Sequence, residues 1–324
     1  MKFDNSTILV TGGTGTIGSL LAKTLLSKYY PKKVVVISRD ETRQHDFINE
    51  IQDDRLITYL CDVRDFARLN EVFMEVKPDI VFHAAALKHV IFCEKNPIEA
   101  VKTNVIGTYN VVSAAIAAGV KKVIYISTDK AVNPTSVMGS TKLIGERICL
   151  DYYGKSSTCI SCVRFGNVLS SRGSVFQLFK KQIENGEDLT ITHPEMTRFV
   201  MRPSQAVDLV LEAAELAKGG EIFILRMPAM KVTDLASAMI KIFGNGKSCK
   251  QVIIGIKKGE KLHEELVTEA ELQNIDELNN FFVVKPGISS SAKKRYLLRS
   301  SNPEYLISEE EIIKYIRQMI KEQL

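Results

Sequence analysis

Along the first 165 residues, short runs of β-branched and aliphatic residues alternate with amphipathic stretches of helical length. The runs at 7–10, 33–37, 56–60, 79–83, 122–127 and 159–165 are apolar at most positions, as expected of strands covered on both faces of a parallel sheet. Between them, 18–27, 43–51, 66–75, 96–118 and 140–153 read as helices. Six strands and five crossovers predict a doubly wound α/β fold of Rossmann type. After Gly166 the rhythm changes. A helix at 175–185, a short strand at 189–191, a helix at 204–217 and a strand at 221–225 predict that the chain leaves the sheet and returns. A helix at 232–243 and a strand at 251–256 then belong to a smaller α/β lobe, and 308–323 forms a terminal helix capped by Ser308, with Glu311 three residues on.

Composition narrows the class. With 45% hydrophobic and 25% charged residues, the chain has the balance of a soluble globular protein rather than a disordered or fibrous one. Apolar stretches such as 80–87 are interrupted well short of the roughly 18–20 residues that a membrane helix needs, so no span is expected. Residues 1–6 lead straight into a strand without the pattern of a secretory signal, and a cytoplasmic location is expected. Six cysteines, at 61, 93, 149, 159, 162 and 249, mostly sit in apolar runs and read as reduced thiols. Cys159 and Cys162 fall on one strand and point to opposite faces, which argues against a zinc or redox pair. The net charge of +5 is spread along the chain, giving no support to nucleic-acid binding. The basic cluster at 293–295, behind serines 289–291, reads as a mobile solvated segment.

The first strand runs into Thr11-Gly12-Gly13-Thr14-Gly15-Thr16-Ile17-Gly18, a G-x-x-G-x-x-G string at the first strand-to-helix turn. Glycines there permit a tight turn and close backbone approach, and the helix start offers free N–H groups and a positive dipole end to a pyrophosphate. The order strand, loop, helix predicts a dinucleotide site from Gly12, Thr14, Gly15, Thr16, Ile17 and Gly18. At the end of the second strand, where an acidic residue takes the ribose of NAD, the chain has Ser38, Arg39 and Asp40. Ser38 and Arg39 suit a 2′-phosphate and Asp40 a bare ribose, so NADP is the expected cofactor and NAD the alternative. Asp62 and Val63 are placed by the adenine, and Ala84, Ala85 and Ala86 along the cofactor channel. Residues 1–166, rejoined by 200–226, are assigned to this NAD(P)-binding domain. Residues 167–199 and 227–286 are assigned to a substrate-binding lobe, and 287–324 to the basic, serine-rich segment and terminal helix.

Ser127-Thr128-Asp129-Lys130 ends the fifth strand, and Met138-Gly139-Ser140-Thr141-Lys142 opens the next helix. Here the chain resembles an extended short-chain dehydrogenase/reductase, and within that group the UDP-N-acetylglucosamine 4,6-dehydratases. The likeness covers nearly the whole chain. It continues through Ala84-Ala85-Ala86-Leu87-Lys88-His89-Val90, Arg164-Phe165-Gly166-Asn167-Val168-Leu169, His193-Pro194-Glu195-Met196-Thr197-Arg198-Phe199 and Gly259-Glu260-Lys261-Leu262-His263-Glu264-Glu265-Leu266. The wider superfamily carries Tyr-x-x-x-Lys, whereas the position four before Lys142 is Met138, which has no ionisable proton. An ordinary tyrosine-based alcohol dehydrogenase is therefore not expected, and the resemblance implies the type that retains configuration at C5.

That resemblance implies a lyase whose tightly bound cofactor is regenerated. Hydride leaves sugar C4, the ketone acidifies C5, water leaves from C6, and hydride returns to C6. Asp129 would be the acid for the C6 hydroxyl and Lys130 the base at C5, its pKa lowered by burial and by the oxidised nicotinamide. Thr128 would bond O4, while Lys142 would hold the nicotinamide ribose and stabilise charge at O4. Asp129 or a water relay are candidates for taking the O4 proton. The alternatives are an inverting dehydratase with 5-epimerase activity, a nucleotide-sugar 4-epimerase, or a non-catalytic nucleotide sensor on the same fold. Intact Thr128, Asp129 and Lys130 argue against the last.

Asn167, after the sixth strand, and Lys88, beside the fourth, are placed to meet the sugar or its pyrophosphate. By resemblance, Val175, Thr190 and Thr192 would approach the uracil and ribose, Arg198 the diphosphate and Glu264 the ribose hydroxyls. His193 and His263 read as polar packing, and no metal site is expected. The resemblance also implies a homo-oligomer formed through the helices flanking the fourth and fifth strands.

Overall fold

In the computed structural model, which describes residues 3–246, 249–278, 280–287 and 298–322, the apolar runs become the strands predicted for them. Strands β1 (Thr7–Thr11), β2 (Lys33–Ser38), β3 (Leu56–Leu60), β4 (Ile80–His83), β5 (Lys122–Ile126) and β6 (Cys159–Arg164) are parallel, in the order β3-β2-β1-β4-β5-β6. Helices α1 (Thr16–Lys28), α2 (Glu41–Ile51) and α3 (Phe66–Val76) make the first three crossovers. Apolar packing on both faces leaves β1 and β5 buried along their whole length. The strand order reverses between β1 and β4, and their carboxyl ends open a crevice there.

The fourth crossover departs from the single helix expected over 96–118. It consists of α4 (Val90–Lys95), α5 (Pro97–Ala100), a π-helical turn at Val101–Ile106 and α6 (Gly107–Ala117). Pro97 lacks an N–H and starts a new helix, and the wider π turn carries the buried Asn104. Helix α7 (Val137–Asp151) makes the fifth crossover.

Beyond β6 the chain builds β7 (Asn167–Val168), α8 (Val175–Asn185), β8 (Leu189–Ile191), β9 (Thr197–Met201) and α9 (Pro203–Leu216) before β10 (Ile222–Leu225) rejoins the main sheet parallel to β6. Strand β11 (Ala229–Lys231), α10 (Val232–Phe243) and β12 (Gln251–Ile253) follow. The lobe then consists of the sheet β11-β9-β7 and the pair β12-β8. One part of the expected division is corrected. Strands β13 (Ile275–Leu278) and β14 (Phe281–Val284), counted with the lobe, extend the main sheet, with β14 antiparallel to β10 and β13 antiparallel to β14. Their four-residue apolar and mixed runs carry no mark of which sheet they join.

Helix α11 (Glu309–Lys321) begins with the expected cap: Ser308 N donates to Glu311 Oε2 (2.8 Å) and Glu311 N to Ser308 Oγ (3.3 Å). Ile312, Ile316 and Met319 are fully buried in the lobe's own core with Phe179, Ile191 and Met239, so α11 is part of that lobe. The segment 288–297 lies outside the described residues. All six cysteines are free thiols, and no described helix is long and apolar enough to cross a membrane.

One buried charge cluster centres on β6. Arg164 is fully buried, with Nη2 2.6 Å from Glu146 Oε2 on α7, Nη1 3.0 Å from Glu271 Oε2 and Nη1 donating to Leu266 O at 2.8 Å. The triad ties the 264–271 segment to the main sheet.

Candidate active site

The glycine loop is shaped for close approach. Gly12 has φ +64°, and a Cβ there would stand 2.7 Å from Ala85 Cα. At Gly18 a Cβ would meet Gly12 O at 2.4 Å. Gly15 caps α1 without a side-chain bond, leaving first-turn N–H groups free for an anion. From this loop a cleft of about 360 Å³ runs past Ser38, Arg39, Asp40, Arg43, Asp62 and Val63 to residues 84–87, with Thr14 and Gly15 in its wall. Long, phosphate-cradling at one end and lined by small residues at the other, it fits a dinucleotide.

At the end of β2 the carboxylates are already engaged. Asp40 caps α2, accepting from Arg43 N at 3.1 Å and pairing with Arg43 Nε at 3.1 Å. Asp62 pairs with Arg64 (2.7 Å) and, at 3.8 Å, with Arg39. Burial pushes the Asp62 carboxyl up, but its hydrogen bonds from Arg64 outweigh this and hold it below the usual range. Arg43, in the first turn of α2, joins Arg39 as a second guanidinium lining this end; the sequence reading missed it, although its place close after the β2 terminus was the available signal.

The second cluster forms where β5 ends. Ser127 N donates to Val163 O (2.7 Å) and Asp129 N to Phe165 O (3.0 Å), continuing the β5–β6 pairing past the strand and fixing residues 127–129. The turn that follows folds Lys130 back onto its neighbour: Nζ donates to Asp129 Oδ1 (3.0 Å) and Asn167 Oδ1 (2.9 Å), and lies 3.2 Å from Glu264 Oε1. Thr128 Oγ1 donates to Asp129 Oδ1 at 2.9 Å. Asp129 is fully buried and Glu264 1% exposed, whereas the Lys130 side chain keeps 24%. Burial pushes the Asp129 carboxyl up, opposed by Lys130 and reinforced by Glu264. For Lys130, burial pulls the ammonium down, but Asp129 and Glu264 outweigh it, and its pKa lies above the ordinary value. This corrects the expectation of a lowered lysine: two buried carboxylates, one of them absent from the local motif, hold the proton on.

Lys142 and Met138 stand apart from this cluster. Lys142 Nζ donates to Ile126 O (2.5 Å) and lies 4.1 Å from the Tyr125 ring centroid. Burial lowers its pKa to about 8, opposed by Glu146. Met138 is 4% exposed and packs with Cys93, Ala100 and Leu87. Its role in this geometry is apolar packing.

A polar chain supports the channel wall. Thr11 Oγ1 bonds His83 Nδ1 (2.7 Å), His83 Nε2 bonds Thr108 Oγ1 (3.0 Å), and Ala85 N donates to Thr11 Oγ1 (3.2 Å). Burial lowers the His83 pKa to about 3, with Lys142 adding to it, so the ring stays neutral. Asn104 clamps the loop, accepting from Leu87 N (2.8 Å) and donating to Leu87 O (3.0 Å). No local pattern marks these residues, whose partners come from distant parts of the chain.

The model of a family described as "Polysaccharide biosynthesis protein" matches residues 8–286. The chain belongs to that family. It is 47% identical over 329 aligned positions to an uncharacterised membrane protein of Methanocaldococcus jannaschii, covering 99% of this chain and 96% of the relative. To a UDP-N-acetylglucosamine 4,6-dehydratase (inverting) of Campylobacter jejuni it is 41% identical over 290 residues, 88% of this chain and 84% of that one. Among solved structures, Pen from Bacillus thuringiensis superposes with a TM-score of 0.93 at 40% identity, over 99% of each chain. Structures of the same fold at 19–21% identity include dehydratases and an epimerase with NAD bound.

Among the remaining residues singled out from the sequence, Asn167 and Glu264 join the Asp129–Lys130 cluster. Arg198 is 8% exposed. Its Nη1 donates to Thr197 O (2.8 Å) and Leu262 O (3.2 Å), Nη2 to Lys261 O (2.9 Å), and Nε lies 3.9 Å from Glu264. It therefore braces the 261–264 turn, where the resemblance implied a contact with the diphosphate. Thr190 accepts from Gln182 Nε2 (3.2 Å), Thr192 lies against Met196 Sδ (3.1 Å), and Val175 starts α8, so each of the three belongs to the lobe. Lys88 stays exposed on the loop after β4. His263 bonds Thr197 Oγ1 (2.8 Å) and His193 accepts from Glu195 N (3.2 Å), both as polar packing. No group of side chains able to hold a metal occurs among the described residues.

Proposed function

We propose that this chain is a UDP-N-acetylglucosamine 4,6-dehydratase of the configuration-retaining type, yielding UDP-2-acetamido-2,6-dideoxy-4-keto-glucose. The observation that carries the reading is the Asp129–Lys130–Asn167 cluster, built on a fully buried carboxylate, at the carboxyl edge of the sheet that also carries the dinucleotide cleft. The named activity of the 41%-identical Campylobacter jejuni relative supports the substrate class. NADP is the proposed cofactor, with NAD the alternative. Asp40 is occupied as a helix cap while Arg39 and Arg43 line the cleft, which favours a 2′-phosphate over a bare ribose. Gly12, Thr14, Gly15, Arg39 and residues 84–86 would hold the cofactor, which would supply the hydride chemistry between sugar C4 and C6.

The side chains supply the proton steps. For Lys130 to act as a base, its ammonium proton must first pass to Asp129, whose burial favours the protonated carboxyl against the pull of the ion pair. The resulting amine takes the C5 proton, Asp129 protonates the departing O6, and Lys130 returns its proton to C5. The proton that leaves with O6 is made good by the one released from O4, so the cluster ends as it began. Removal and return by one lysine act on one face of the sugar, which gives retention. Met138, which stands where the wider superfamily carries tyrosine, supports retention by resemblance.

Incubation with UDP-N-acetylglucosamine and no added cofactor should give loss of one water by mass spectrometry; unchanged substrate would refute the reading. Proton NMR after chemical reduction of the ketone then reads C5, where inversion would assign the alternative named for the relative. We also propose that copies associate through α4–α6, where Phe92 and Ile98 are 65% and 63% exposed. Ile98→Asp should yield a smaller species by light scattering.

A further inference from the structure

The Glu264 carboxylate is nearly sealed from solvent, yet only one of its oxygens is used. Oε1 faces Lys130 Nζ at 3.2 Å, while Oε2 has no hydrogen-bond partner among the described residues. Its backbone is seated on both sides by Ser300: Glu264 N donates to Ser300 Oγ (2.8 Å) and Ser300 N to Glu264 O (2.9 Å). Ser300 Oγ in turn meets Thr197 Oγ1 at 2.7 Å. The position of the carboxylate is thus set by β9 and the 298–300 segment, independently of the turn that carries Lys130.

An ammonium has three hydrogens, and here Asp129 Oδ1, Asn167 Oδ1 and Glu264 Oε1 offer three acceptors. An amine has two hydrogens and a lone pair, so the lysine must give up one of the three before it can attack C–H. Glu264 makes the longest of the three contacts. We propose that Glu264 is a positioning residue of the acid–base cluster, holding the Lys130 ammonium in register with Asp129 and Asn167 and governing when the lysine is released as a base. The groups facing this pair are Asp129 on the same turn as Lys130, Arg198 on β9 and Lys261 on the 261–264 turn. Arg198 and Lys261 both favour the carboxylate form of Glu264. The placement leaves Glu264 no open face toward a ribose, the role expected for it by resemblance.

The inference rests on the dehydratase reading for its consequence in turnover, but its first test does not. Pulse acetylation across a pH series, with the Lys130 peptide quantified by mass spectrometry, reads when the amine appears. In Glu264→Gln, which keeps the side-chain shape and an acceptor oxygen, the midpoint should fall by about one pH unit or more, a tenfold gain in amine at fixed pH. Glu264→Asp should shift in the same direction by less, and serves alone if the glutamine variant does not fold. An unmoved midpoint in a folded variant overturns the proposal. In turnover of UDP-N-acetylglucosamine, the acid-side limb of the kcat profile should move with the labelling midpoint while KM changes less than about threefold, the mark of a group that acts on the lysine rather than on substrate. A large rise in KM with an unmoved limb would instead make Glu264 a nucleotide ligand. If the wild-type chain fails to dehydrate this substrate, the functional reading falls while the labelling still decides the role of Glu264.

Discussion

Replacing Lys130 by Met keeps an unbranched side chain one atom shorter and removes the ammonium that stands 3.0 Å from Asp129 Oδ1 and 3.2 Å from Glu264 Oε1. At an effective dielectric of about 20, each contact carries roughly 5 kcal/mol of bare Coulomb energy. That is an upper bound, because all three groups have been desolvated and Lys130 keeps 24% exposure. Breaking a buried pair costs about 3–5 kcal/mol, and the solvent reaching Lys130 lowers the expectation to about 2–4 kcal/mol near pH 8. The sign with pH follows from the directions of the shifts. The raised Lys130 pKa contributes stability below its unfolded value, lost only as pH rises through the folded one; the lowered Glu264 pKa contributes stability that is lost as pH falls. In Lys130→Met both carboxylates lack their cation and favour protonation, so the deficit should shrink as pH falls from about 8 to about 4.5. Urea unfolding followed by circular dichroism at the two pH values measures it, and adding Glu264→Gln should recover part of the loss. Turnover of UDP-N-acetylglucosamine should fall by about 10²–10⁴-fold. A variant that dehydrates at the wild-type rate, or whose stability deficit does not change with pH, would refute the reasoning.

Gly12→Ala places a Cβ 2.7 Å from Ala85 Cα at φ +64°, and the purified variant should lose its dinucleotide, read from its ultraviolet spectrum. Removing Arg39 and Arg43 together should weaken NADP relative to NAD by about tenfold or more in titration calorimetry, since a hydrogen bond to a charged group is worth about 1.5–3 kcal/mol; an unchanged ratio would point to NAD. Asn104→Ala leaves Leu87 N and O without their partner and should cost about 1–3 kcal/mol, with faster hydrogen exchange at the Leu87 amide. Arg164→Met strands Glu146 and Glu271 and should destabilise by about 3–5 kcal/mol in urea, less so in acid as the carboxylates protonate.

The local sequence determined what depends on near neighbours: six parallel strands from apolar runs, the glycine loop from its spacing, the capping box at Ser308 from two residues three apart. It also marked Thr128, Asp129, Lys130 and Asn167, because each follows directly on a strand end. Tertiary structure decided the rest. Antiparallel β13 and β14 joined the main sheet and α11 joined the lobe core, choices that depend on which apolar face each finds. Pairing between Lys130 and Glu264, Arg164 and Glu271, or Thr11 and His83 links residues far apart in the chain. Periodicity reports which side of an element is apolar, but a buried charge is stabilised by whichever opposite charge the packed fold delivers, and that partner leaves no trace in the local pattern.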